Sequence, residues 1–166
     1  LFRSWAHVNG QPINAELSGW LDSLRSRSEY EVANNPLVEG MIQTYQLCVV
    51  GSEGPRLSVS SKNKEYALSR ARIWEEWCQS CGTNQQLSIV EILDLWIRSC
   101  FGSGEFFNQL VSIPDSDSPI NLRLLPIHSR RLFTPPEMLG DPEVALGVRR
   151  NLKFRRPTHY YVSQPY

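Results

Sequence analysis

Apart from a short stretch at residues 56–60, apolar residues change their spacing at Gly104. Before it they recur every three or four residues, the period of a helix face; after it they alternate, the period of a strand. Helices followed by strands, in place of alternating β-α-β units, point to an α+β fold: N-terminal helices and then a mostly antiparallel β-sheet. The expected organisation is a single domain over residues 1–166, helical over 14–102 and β-rich over 104–166. A chain of 166 residues is long enough to bury one core of this kind.

Local chemistry divides the helical part. Asn14 is placed to cap a helix whose apolar face is Leu17, Trp20, Leu21 and Leu24, and which breaks at Asn34-Asn35-Pro36. Proline disfavours helical geometry in the residue before it but suits the first turn of a new helix. Asn35 therefore caps a second helix through Leu37, Val38, Met41, Ile42 and Tyr45 to about Val49, stopped by Gly51 and Gly54-Pro55. A short strand is expected over Arg56–Ser60. A third helix is expected from about Lys64 to Cys81, with Ala67, Ala71, Trp74, Cys78 and Cys81 on one face and Gly82 ending it. Ser88 and Glu91 have capping-box spacing, with Leu87 and Ile92 spaced as a hydrophobic staple, so a fourth helix runs from there to Gly102.

Beyond Gly104, strands are expected over Glu105–Ser112 and Ile120–Leu125, separated by a turn from Pro114 to Pro119. Residues 134–142 read as a loop with room for one helical turn. Two final strands, Val144–Arg150 and His159–Ser163, are joined by a basic turn.

Charge and cysteine usage exclude several functions. Lys+Arg and Asp+Glu are both 17, so no global field recruits nucleic acid or a membrane surface. No apolar run approaches the roughly 20 residues that span a bilayer. Four cysteines at irregular spacing do not make a secreted disulfide framework and fit a reducing, cytoplasmic setting. Leu1 at the start and a strand-like run into Tyr166 suggest a piece of a longer chain.

Few residues invite chemistry. Cys78-Gln79-Ser80-Cys81 has the spacing of a zinc or redox pair. A zinc site needs further ligands, and His128 and His159 stand alone. A redox pair belongs at a helix N-terminus, where the dipole favours thiolate, and this one closes a helix. Gly102-Ser103-Gly104 lacks the third glycine of a dinucleotide loop, since Phe107 stands there, and reads as a helix stop. His128 has no nucleophile partner beyond Ser129. Arg149, Arg150, Lys153, Arg155 and Arg156 form the densest basic run; with Leu152 and Phe154 between them they read as a solvated hairpin turn more than a phosphate-binding surface. No catalytic, cofactor-binding or metal-binding residue is expected. Trp74, Trp77 and Trp96 fall on apolar helix faces and read as core, whereas Trp5 and Trp20 suit contacts between subunits.

The order of segments resembles the portal proteins of phage lambda and its relatives. The likeness begins at Leu24-Arg25-Ser26-Arg27-Ser28, runs into Asn34-Asn35-Pro36-Leu37, and continues at Val49-Val50-Gly51. Trp74-Glu75-Glu76-Trp77 is similar to that family's Trp-x-x-Trp helix, Leu87-Ser88-Ile89 to its next capped helix, and Gly104-Glu105-Phe106-Phe107 to its Gly-Glu-Val-Phe strand. Arg131-Leu132 before Thr134-Pro135, within Leu122–Pro135, resembles its Arg-Leu-x-x-Pro turn, and Arg156-Pro157-Thr158-His159-Tyr160-Tyr161-Val162 its Arg-Pro-x-x-Tyr-Tyr-Val strand. The chain departs from the family pattern at His128, where an acidic residue is common, and over residues 137–147.

The resemblance implies a non-enzymatic subunit of a homo-oligomeric ring, typically a dodecamer, at one capsid vertex. Double-stranded DNA passes through such a ring, driven by a terminase motor, and head-completion proteins dock on it later. The matching segment corresponds to the outer wing, so this piece would contact DNA little; stem, clip and crown would follow Tyr166. The resemblance also implies residence in the virion, and in the host cytoplasm during assembly. Contacts between subunits are expected from the two N-terminal helices and the hairpin ending at Tyr161. Two other readings stay open: a different head–tail connector component, and a small zinc or redox module built on Cys78 and Cys81.

Overall fold

A computed structural model describes residues 13–114, 118 and 120–164. The fold is α+β, with four helices preceding two small antiparallel sheets. By its internal contacts the chain forms two compact units, one of residues 28–129 and one of residues 1–27 with 130–166.

The larger unit holds the end of the first helix, from residue 28, and the three helices after it, which begin where cap chemistry places them. Helix α1 is Ile13–Asn34 and α2 is Pro36–Val49. Only Asn35 separates them, and its side chain accepts the Leu37 N–H at 3.1 Å. Asn14 stands one residue inside α1 instead of capping it, a shift within the usual fraying of helix ends. Trp20 and Leu24 are exposed, whereas Leu17 and Leu21 of the expected apolar face are half-buried and Arg25 and Val32 beside them are buried, so only part of that face packs.

Helix α3 is Lys64–Gln79, capped by Asn63, which accepts the Tyr66 N–H at 3.2 Å. It ends at Ser80, before Cys81 and Gly82. Gly82 has another duty: its N–H donates to the Leu87 carbonyl at 3.1 Å, and a Cβ there would lie 3.0 Å from the Leu87 Cβ. Helix α4 is Ile89–Ser103 and opens with the expected capping box. Glu91 accepts the Ser88 N–H at 2.8 Å and its hydroxyl at 2.7 Å, while Ser88 Oγ accepts the Glu91 N–H at 3.3 Å. The helix continues through Gly102, which is buried with the Glu29 and Val32 side chains near it, and stops at Gly104. Gly104 takes φ +82°, the left-handed geometry that a Cβ penalises, so of two candidate glycines the second is the stop.

Strand β1 (Phe107–Ser112) pairs antiparallel with β2 (Leu122–Ile127), from Phe107 opposite Ile127 to Ser112 opposite Leu122. Most of the turn expected between them lies outside the described residues. The ribbon is tied to the end of α3: the Leu124 N–H donates to the Cys81 carbonyl at 2.8 Å and the Thr83 N–H to the Leu124 carbonyl at 3.0 Å. Trp77 Nε1 donates to the Leu122 carbonyl at 2.7 Å. This brings Trp77, Cys81, Ile89, Ile92 and Leu124 into one core, with Trp74, Leu87 and Trp96 packed on it. Each fully buried side chain such as Ile92 contributes about 1.5–3 kcal/mol. Residues 56–60 form no strand, because no partner strand lies alongside them among the described residues.

The second unit holds the first part of α1, to residue 27, and a small sheet of order β3-β4-β5: Val144–Ala145, Val148–Arg150 and Pro157–Tyr160. The stretch 144–150 is therefore not one strand but two, folded back at Leu146-Gly147. Both residues have positive φ, 52° and 77°, as a two-residue hairpin turn with the sheet's twist requires. The last strand starts at Pro157, earlier than expected, and residues 161–163 instead pair as a bridge: Val162 opposite Leu132, with the Phe133 N–H donating to the Tyr161 carbonyl at 3.1 Å. A single 3₁₀ turn, Pro136–Met138, fills the loop where one helical turn was expected.

Candidate subunit-contact surfaces

The cysteine pair is built for packing. Cys78 sits in the last turn of α3 and Cys81 just beyond it, fully buried, with its thiol 3.9 Å from the Leu87 carbonyl. Burial, then the neighbouring Cys78, pushes the Cys81 thiol up to about 11, and burial followed by Glu75 raises Cys78. Thiolate, the form that attacks and binds metal, is disfavoured at both. His128 lies 3.8 Å from Glu29 and His159 is exposed on β5. Among the described residues no three His, Cys, Asp or Glu side chains are grouped as a metal would need. All four cysteines are free thiols.

The basic run divides. Arg149 is held inside its own sheet, donating to Asp141 at 2.8 Å with Glu143 at 3.7 Å. The Glu143 N–H, then Arg149, keep the Asp141 carboxyl below its ordinary range. The other four basic residues are exposed at or around the turn between β4 and β5. Asn151 organises that turn: its side chain accepts the N–H groups of Lys153 and Phe154, at 2.8 and 3.3 Å, and its own N–H donates to the Arg156 carbonyl at 2.9 Å. The turn thus presents Leu152 and Phe154 outward, 61% and 72% exposed, among cations.

Helix α2 carries the most apolar surface of the larger unit. Of Leu37, Val38, Met41, Ile42 and Tyr45, the apolar residues through which the sequence runs this helix, only Ile42 is buried. Leu37 and Met41 stand one turn apart and point away from it, 79% and 66% exposed, while Tyr45, 55% exposed, turns towards Phe101 of α4. The sole acid or base of the helix, Glu39, is turned towards α4, where both its oxygens accept from Arg98 at 2.8 Å. Arg98 also holds the Glu39 carboxyl below its ordinary range. The outer face is left uncharged. A helix apolar on both sides is one that another element covers, and that excess of apolar positions was readable in the sequence.

Beside this face, α2 and α4 frame a groove of about 450 Å³ lined by Tyr45, Val49, Trp96, Ile97, Phe101 and Phe106 among others. Two aromatic pairs shape its walls: Trp96 stacks on Phe106 with centroids 4.8 Å apart, and Tyr45 meets Phe101 edge-on at 4.9 Å. The walls carry no charged side chain. Trp20, Leu24 and Tyr30 add exposed apolar surface on α1. Trp5, the other tryptophan expected at subunit contacts, lies outside the described residues. Large exposed apolar surface of this kind marks interaction sites or ligand-binding grooves.

The sequence model of the family described as "Phage portal protein, lambda family" matches residues 1–166, the whole chain. The chain belongs to the lambda family of phage portal proteins. Membership places it in bacteriophage virion assembly and DNA packaging, in an oligomeric ring at the capsid vertex. Among curated proteins none is detectably similar to this portal chain in sequence. Among the described residues no helix is long and apolar enough to cross a membrane.

Proposed function

We propose that this chain is the outer wing of a portal ring of about a dozen subunits, through which DNA is packaged and ejected and on which the terminase and head-completion proteins dock. In this reading it is a mechanical part with no catalytic, cofactor-binding or metal-binding residue. It assembles in the host cytoplasm and touches DNA little. The family match over residues 1–166 carries the reading. The uncharged outer face of α2 supports it, because a ring subunit must offer one surface to each neighbour.

Native mass spectrometry with negative-stain imaging of the natural full-length protein tests it. A closed ring of about a dozen subunits with a central hole is expected. A monomer or dimer at micromolar concentration would overturn the reading.

A further inference from the structure

A ring closes through a heterologous interface, in which two different patches of the same chain meet. The two units differ sharply in charge. Residues 1–27 and 130–166 carry ten Lys and Arg against five Asp and Glu, whereas residues 28–129 carry seven against twelve. Their formal charges are therefore +5 and −5, hidden within a chain of net zero. Opposite potentials of this kind steer encounter and fix register. Each unit also holds an exposed apolar feature. The acidic unit has the concave groove between α2 and α4, and the basic unit has the convex turn with Leu152 and Phe154 at its tip.

We propose that, in the ring, the Leu152–Phe154 turn of one subunit seats in the α2–α4 groove of the next. The inference rests on the portal reading and names the contact that reading requires. Phe154 supplies the apolar anchor, against walls made by the Trp96–Phe106 stack and the Tyr45–Phe101 pair. The cations flanking it, Arg150, Lys153, Arg155 and Arg156, face the acidic unit and remain at the rim. The basic run thus acts in assembly, not in binding DNA. Asn151 pre-shapes the turn, which lowers the ordering cost of docking.

The groove already contains a reporter, the exposed free thiol of Cys100. In a Cys48→Ser background, Lys153→Cys places a second thiol on the turn while leaving Leu152 and Phe154 in place, and copper phenanthroline serves as the oxidant. Assembled rings of the full-length protein are expected to give a ladder of covalent multimers on a non-reducing gel, abolished by Cys100→Ser. A companion variant, Leu152→Ser with Phe154→Ser, is expected to cut ring yield at least tenfold. Rings without a ladder, a disulfide confined within single chains, or full ring yield from the companion variant would each overturn the contact while leaving the portal reading intact. Absence of rings from the unaltered protein would overturn the portal reading, and this contact with it.

Discussion

Arg98 grips both carboxylate oxygens of Glu39, at 2.8 Å each, and so binds the sole charged side chain of α2 to α4. What remains on α2 sorts by face. Ile42, 1% exposed, packs inward, while its neighbour Met41 points away. Ile42→Ala is expected to cost ~2–5 kcal/mol, the loss of a fully buried aliphatic plus its cavity. Met41→Ala is expected to stay within about 0.5 kcal/mol, as exposed substitutions do. Urea unfolding of the two variants checks the contrast, and equal losses would mean that α2 is packed on both faces within the monomer.

Ser88→Ala removes the acceptor for the Glu91 N–H and is expected to cost ~1 kcal/mol. Ser88→Asp restores an acceptor at that position and is expected to recover most of the loss. Thermal melts of the three proteins at one pH are sufficient.

Three carboxylates have folded-state pKa values below their ordinary range: Glu91 through the Ser88 N–H and hydroxyl, Glu39 through Arg98, and Asp141 through the Glu143 N–H and Arg149. A carboxylate depressed on folding contributes stability that is fully present above its unfolded value, roughly 4, and is lost as pH falls through the folded value. Melting temperature is therefore expected to be level above about pH 5 and to fall below about pH 4. Glu91→Gln is expected to make that acid slope shallower; an unchanged slope would remove Glu91 from the account.

Gly147 has φ +77°, and a Cβ there would lie 2.9 Å from the Leu132 Cγ, 2.9 Å from the Phe133 nitrogen and 3.0 Å from its carbonyl oxygen. Two of these three atoms are backbone and cannot rotate away. Gly147→Ala is expected to cost more than ~1 kcal/mol. It should also speed hydrogen exchange at the Tyr161 N–H, which donates to the Gly147 carbonyl at 2.9 Å.

Thiol labelling separates the cysteines. Cys48 and Cys100 are exposed, whereas Cys81 is buried and its thiol is pushed up to about 11. A maleimide at pH 7 is expected to modify Cys48 and Cys100 in the folded, unassembled chain, and all four cysteines once it is denatured. Native labelling of Cys81 at the rate of Cys100 would show that the core opens freely.

The sequence made the fold legible wherever one residue decides a local geometry. Asn35-Pro36, Ser88 with Glu91, and the period change at Gly104 each set a boundary through backbone chemistry. It was less legible where apolar residues outnumber core positions. On α2 the apolar residues spread around the helix, so spacing alone could not separate Ile42 from Met41. Leu146-Gly147 escaped notice because the turn lacks the Asn-Gly or Asp-Gly signal and takes positive φ at a leucine. Residues 56–60 alternate like a strand, but alternation supplies no partner. The family resemblance rested on motif order, and the match over the whole chain agrees with it.

Strand β1 has an open side. Its sequence from Phe107 to Ser112 contains no charge and no proline, Leu110 is two-thirds exposed, and β2 is its partner on one flank only among the described residues. Proteins usually blunt such a flank with lysine, proline or a bulge, because a bare row of amides and carbonyls templates strand addition from any passing chain. A subunit waiting in solution therefore carries its own aggregation hazard.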